Sequence, residues 1–135
     1  MSMDEGVRGD LIDAALAAQR HAYAPYSQFP VGAAVLTAGG DVFAGCNVEN
    51  ASFGLTICAE RAAVAAAVAG GPDQLEFMAI ASSGGVSPCG ACRQVLAEFN
   101  PEIPILLVNT SRNNAVVEVS LLDLFPKRFR LPEKE

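Results

Sequence analysis

The sequence predicts an α/β domain with helices packed on a mixed five-stranded sheet. Three observations carry that prediction. Segments with apolar residues at helical spacing alternate with short runs of small and branched residues, and Gly, Pro, Asn and Asp clusters separate the two kinds. Five strand-like runs then interleave with about four helical ones, the order expected when helices cover a sheet. At 135 residues the chain, residues 1–135, reads as a single domain large enough to bury a core.

The first helix is expected over residues 9–24. Leu11, Ile12, Ala15, Leu16 and Ala22 form its apolar stripe, Asp10 and Asp13 stand at its N-terminal end where the helix dipole favours them, and Pro25 closes it. His21, the single histidine, reads as a solvated residue far from any other metal ligand. Residues 31–37 and 42–48 form a strand pair joined by the turn Gly39-Gly40-Asp41. Phe29 stands just before this hairpin, where its ring either packs in the core or offers a wall to a flat ligand. Alternation puts Asn47 and Glu49 on one face with Val48 on the other. An amide and a carboxylate placed so suit a hydroxyl that both donates and accepts, or else form a solvated loop.

An alanine-rich helix over residues 58–69 is stopped by Gly70-Gly71-Pro72. A buried strand over residues 75–82, a glycine loop at 83–85 and a helix over 89–99 follow. Pro101 and Pro104 mark the exit into a strand at 105–109, a polar turn at 111–114 returns the chain along a strand at 115–119, and Ser120 with Asp123 starts a last short helix ending near Pro126. Phe125 and Phe129 flank or sit in a charged tail, where apolar rings suggest a contact between copies of the chain.

Composition narrows the function classes. Apolar residues make up 51% of the chain, a large share for a small domain to hide alone, and this points to a homo-oligomer. The net charge of −6 opposes a sequence-independent grip on nucleic acid phosphates. No apolar run nears the roughly 20 residues of a membrane span. The acidic start, with Asp4, Glu5 and Asp10, does not look like a signal peptide, and four cysteines in that setting fit a reducing cytoplasm and metal or redox chemistry.

The chemistry concentrates in Cys58-Ala59-Glu60-Arg61 and Ser87-Pro88-Cys89-Gly90-Ala91-Cys92-Arg93-Gln94. A Cys-x-x-Cys opening a helix presents two sulfurs within one turn, as a tetrahedral metal site requires. Cys58 also opens a helix, and a helix N-terminus favours thiolate over thiol, so it is the natural third ligand. Three ligands leave one position open, the mark of a catalytic zinc. Glu60 lies about 200° round the helix from Cys58, poorly placed to bind the same ion but able to take a proton from a water beside it. Arg61 either is a surface charge or hydrogen-bonds sulfur and offsets the negative charge of the thiolates. Two rival readings use the same residues: a closed four-cysteine zinc module with Cys46 as fourth ligand, in which Glu60 is idle, and a redox dithiol at Cys89 and Cys92.

These stretches, with Tyr26-Ser27-Gln28-Phe29-Pro30-Val31-Gly32-Ala33-Ala34 and Gly45-Cys46-Asn47-Val48-Glu49-Asn50-Ala51, resemble the short, homotetrameric type of zinc-dependent cytidine deaminase over about residues 11–129. The resemblance implies a three-layer α/β/α fold, one Zn²⁺ per chain on Cys58, Cys89 and Cys92, and hydrolytic deamination of cytidine and 2′-deoxycytidine to uridine and 2′-deoxyuridine, a step of pyrimidine salvage in the cytoplasm. Glu60 is implied as the proton carrier, shuttling between the attacking water, N3 of the base and the leaving amine. Phe29 is implied to pack on the pyrimidine, Asn47 and Glu49 to hold the ribose 3′-hydroxyl, and Ala59 to line the substrate site with Arg61 behind it. Ala51 and Phe129 are implied to reach the substrate of a neighbouring subunit. Phe53, where Tyr is frequent, and Leu124-Phe125-Pro126, where Leu-Leu-Pro is frequent, depart from the family pattern at subunit contacts. A related aminohydrolase branch that acts on a cytosine-containing antibiotic is the alternative that residues 47–51 argue against.

Overall fold

The computed structural model describes residues 3–71 and 74–133. Along the chain run α1 (Glu5–Gln19), β1 (Gly32–Thr37), β2 (Val42–Cys46), a short 3₁₀ turn (Phe53–Leu55), α2 (Ala59–Ala69), β3 (Leu75–Ser82), α3 (Gly90–Phe99), β4 (Pro104–Asn109), β5 (Ala115–Ser120) and α4 (Leu121–Leu124). The strands form one sheet in the order β2-β1-β3-β4-β5. β3 and β4 are parallel and the other three pairs antiparallel, so the sheet is mixed as expected.

Helices cover both faces of this sheet. Ala33 and Val35 of β1 point with Met78 and Ile80 of β3 toward Ala63, Val64 and Ala67 of α2 and Leu96 of α3. The alternate residues Ala34, Leu36, Phe77 and Ala79 point toward Leu11 and Ala15 of α1. That is why all six residues of β1 are buried, whereas a strand with one wet face would alternate. The helices sit close because small residues let them. A Cβ on Gly32 would stand 2.0 Å from the Ala15 carbonyl oxygen of α1, and one on Gly45 would stand 2.5 Å from the Ala63 nitrogen of α2. Substitution at either glycine pushes a helix off the hairpin. Among the described residues, no helix is long and apolar enough to cross a membrane.

Element positions follow the sequence reading except at both ends of α1 and at the end of β2. α1 begins at Glu5 and ends at Gln19, several residues earlier at both ends than expected. Its N-cap is Asp4, whose Oδ1 accepts from the Val7 N–H at 2.8 Å, so the helix tolerates Gly6 and Gly9 in its first turns. Its end comes before Pro25 because the Tyr23 N–H is claimed by the Asn47 carbonyl at 3.0 Å, pulling the chain into a bridge with Val48. β2 correspondingly stops at Cys46, and Asn47 and Glu49 lie beyond it. At the end of α2 the Gly70 N–H still reaches the Ala66 carbonyl, while Pro72 lies outside the described residues. Ser120 caps α4 by accepting from the Leu122 N–H at 3.2 Å.

Candidate active site

Two helix starts meet at one end of the sheet. Cys58 is the N-cap of α2 and Cys89 the N-cap of α3, both with extended backbone, so each sulfur stands at a helix N-terminus. Cys92, one turn into α3, is buried, and the sulfurs of Cys58, Cys89 and Cys92 all lie within 4.8 Å of one another. Cys89 Sγ and Cys92 Sγ are 3.4 Å apart. Tetrahedral zinc with bonds of about 2.3 Å would place its sulfurs about 3.8 Å apart, so this donor set fits one such ion.

The electrostatics also fit a cation. Burial pushes the Cys92 thiol up, and the Glu60 carboxylate and the neighbouring sulfurs push it the same way. Burial also works against the Cys89 thiolate, but hydrogen bonds from the Cys92 backbone and from Cys92, Cys58 and Ala91 outweigh it and pull this thiol down. Such a cluster ionises fully only when a positive ion is shared among the sulfurs. Arg61 supplies part of that charge: its Nη2 stands 3.4 Å from Cys58 Sγ and 3.5 Å from the Thr56 carbonyl oxygen. Its Nε is buried and has no hydrogen-bond partner among the described residues. The bond to Cys58 holds the guanidinium all the more firmly protonated.

Glu60, in the first turn of α2, is buried in the same cavity. Burial raises its pKa above the usual 4.5, against the opposing pull of its own backbone N–H, a hydrogen bond from Cys92 and the charge of Arg61. The cavity has a volume of about 300 Å³, and Phe29, Val31 and Ile80 supply apolar walls while Ser27, Asn47, Glu49 and Glu60 supply polar ones. Ala59 lines it as well.

Asn47 and Glu49 reach the cavity from beyond the end of β2, and both grip the loop opposite. Asn47 donates through Nδ2 to the Phe29 carbonyl at 3.0 Å and accepts through Oδ1 from the Val31 N–H at 2.9 Å. Glu49 Oε1 accepts from the Tyr26 and Ser27 N–H groups at 2.9 and 3.1 Å, and Oε2 accepts from the Ser27 hydroxyl. The Ser27 hydroxyl chiefly, with these N–H groups, holds the Glu49 carboxyl below the usual range. Ala51 and Phe129 are not among the residues lining this cavity. Phe129 is 69% exposed, its carbonyl held by Gln94 Nε2 at 3.0 Å.

Two residues were not singled out from the sequence. Ser27 is one. Arg93 is the other: Nε donates to the Pro88 carbonyl at 2.8 Å and Nη1 to the Leu124 carbonyl at 2.9 Å, tying the turn before Cys89 to α4. Only their adjacency to Phe29 and Cys92 in the motifs could have drawn attention to them.

Cys46 stands elsewhere, in a groove with Ala14, Ala17, Ala18 and His21, and the sulfur group does not include it. Cys46→Ala is therefore expected to leave metal content at one ion per chain; a fall toward zero by atomic emission would restore the four-cysteine reading.

With this geometry in hand, the comparisons are direct. The family model for the cytidine and deoxycytidylate deaminase zinc-binding region matches residues 7–107. The chain is 44% identical over 115 residues to a cytidine deaminase of Sporosarcina psychrophila, covering 83% of each, and 49% identical over 94 residues to one of Mycobacterium tuberculosis, covering 68% of each. The crystal structure of a cytidine deaminase from Burkholderia pseudomallei superposes with a TM-score of 0.84 at 45% identity, covering 94% of this chain and all of that one.

Proposed function

The chain belongs to the cytidine and deoxycytidylate deaminase family, and from that premise we propose that it hydrolyses cytidine and 2′-deoxycytidine to uridine and 2′-deoxyuridine with release of ammonia. The observation that carries this reading is the convergence of three sulfurs within 4.8 Å of one another at the wall of a cavity that also buries Glu60. Cys58, Cys89 and Cys92 would hold one zinc ion. When bound, zinc supplies the Lewis acidity that makes water a nucleophile near neutral pH.

The remaining steps belong to the chain's own groups. Glu60 takes one proton of the attacking water and passes it to N3, which makes C4 electrophilic; it then takes the second proton from the new C4 hydroxyl and delivers it to the amine, so that the C4–N4 bond breaks and ammonia leaves as the C4 carbonyl forms. A carboxyl that both accepts and donates works best with a raised pKa, and burial acts on Glu60 in that direction. Phe29 packs on the pyrimidine, Ala59 lies against its edge, and Asn47 and Glu49 hold the sugar. The cavity lining carries Glu49 and, among the described residues, no lysine or arginine, which favours a neutral nucleoside over a nucleotide.

The working unit proposed is a homotetramer in the cytoplasm, serving pyrimidine salvage, with Ala51 and Phe129 completing a neighbour's site. Exposed apolar side chains support association: Phe53 is 72%, Leu55 65% and Phe129 69% exposed. Loss of cytidine's ultraviolet absorbance in the presence of zinc-replete protein tests the activity; an unchanged spectrum would overturn it. A Phe129→Ala homo-oligomer should show KM raised by about tenfold. Mixed with Glu60→Gln chains it should regain affinity, because some sites then combine an intact Glu60 with a neighbour's intact Phe129. No gain on mixing would place Phe129 outside the site.

A further inference from the structure

Building on the nucleoside reading above, we propose that Ser27 is a positioning residue that sets the sugar end of the cavity as a hydrogen-bond acceptor and so makes recognition depend on a donating sugar hydroxyl. A serine hydroxyl has one proton and two lone pairs. Here the proton goes to Glu49 Oε2, and one lone pair accepts the Phe29 N–H at 3.1 Å. What remains toward the cavity can only accept.

The same hydroxyl links two walls of the cavity. Glu49 lies 22 residues away in sequence, and its Oε1 is already committed to the Tyr26 and Ser27 N–H groups. The Ser27 side chain fixes the second oxygen, so the carboxylate cannot rotate away from the sugar. Through the Phe29 N–H it also holds the aromatic wall in register with that carboxylate. Between the two stands Gln28, with φ 55, a left-handed conformation that a residue with a side chain seldom adopts. The Gln28 N–H is anchored on the Ala24 carbonyl at 2.9 Å, which together with the Ser27 hydroxyl sustains the turn. Loss of the hydroxyl frees Glu49 Oε2 and the Phe29 N–H at once, without touching the sulfurs or Glu60.

The test is steady-state kinetics of wild type, Ser27→Ala and Ser27→Thr on cytidine and on 3′-deoxycytidine. Ser27→Ala should raise KM for cytidine by about tenfold with kcat changed by less than roughly twofold. For the analogue that lacks the donating hydroxyl, KM should rise by only roughly twofold to threefold, the part due to a loosened aromatic wall, so discrimination between the two substrates narrows. Ser27→Thr, which keeps the hydroxyl, should recover most of the cytidine affinity. An equal rise in KM for both substrates, a fall in kcat matching the fall in kcat/KM, or no rescue by threonine would overturn the proposal while leaving the activity standing. A wild type that turns over no cytidine would overturn the nucleoside reading and this proposal with it.

Discussion

Glu60→Gln is expected to lower kcat on cytidine by about 10⁴-fold while leaving zinc content and fold intact. Glutamine keeps the size of the side chain but can neither take the water proton nor deliver one to the leaving amine, so both proton transfers fail together. The change also makes a stability prediction. Glu60 is buried and its folded pKa stands above 4.5, so its contribution to folding is present below that pH, where it is protonated in both states, and is lost as pH rises through the folded value. At neutral pH the metal-free glutamine variant should therefore melt no lower than the metal-free parent, and any advantage should vanish as the pH falls below 4.5. Turnover within about tenfold of wild type would remove Glu60 from the proton path.

Removing the metal should have the second largest effect. Cys92 is fully buried, and without a cation its sulfur shares a confined space with Cys58, Cys89 and Glu60. Dialysis against a chelator, or Cys92→Ala, is expected to abolish turnover and to reduce zinc from about one ion per chain to near zero. A ligand at about a thousand times its Kd stabilises the folded state by about 4 kcal/mol, which for a domain of this size corresponds to a drop in Tm on the order of 10 °C when it is lost. Calorimetry of the chelated parent, before and after zinc is returned, reads this directly. Recovery of both Tm and turnover is the expected result, and full activity in a demonstrably zinc-free sample would exclude the metal from the reaction.

The contrast between these residues and Ser27 shows how far sequence reading reached. Cys58, Cys89 and Cys92 were legible because their chemistry is local: a Cys-x-x-Cys at a helix start presents its sulfurs whatever surrounds it, and a third cysteine opening another helix has few other uses. The strands were legible for a similar reason, since β1 and β3 carry runs of small and branched apolar residues bounded by Gly and Pro. The ends of α1 were less so. Gly6 and Gly9 weaken the helical signal where Asp4 starts the helix, and its termination is set by a hydrogen bond from Tyr23 to Asn47, a partner the local pattern cannot reveal.

The Cys89–Cys92 pair, the placing of Cys58 and Glu60 at another helix start and the alternation of strands and helices thus follow from spacing along the chain, because each depends on geometry within a turn or two. The tertiary structure decided the rest: which loop Asn47 and Glu49 grip, that Ser27 commits its proton to Glu49, and that Arg61 sets its Nη2 against Cys58 Sγ. These are contacts between elements, often across 16 to 22 residues of sequence. Their partners are chosen by how α2 and the hairpin pack against each other.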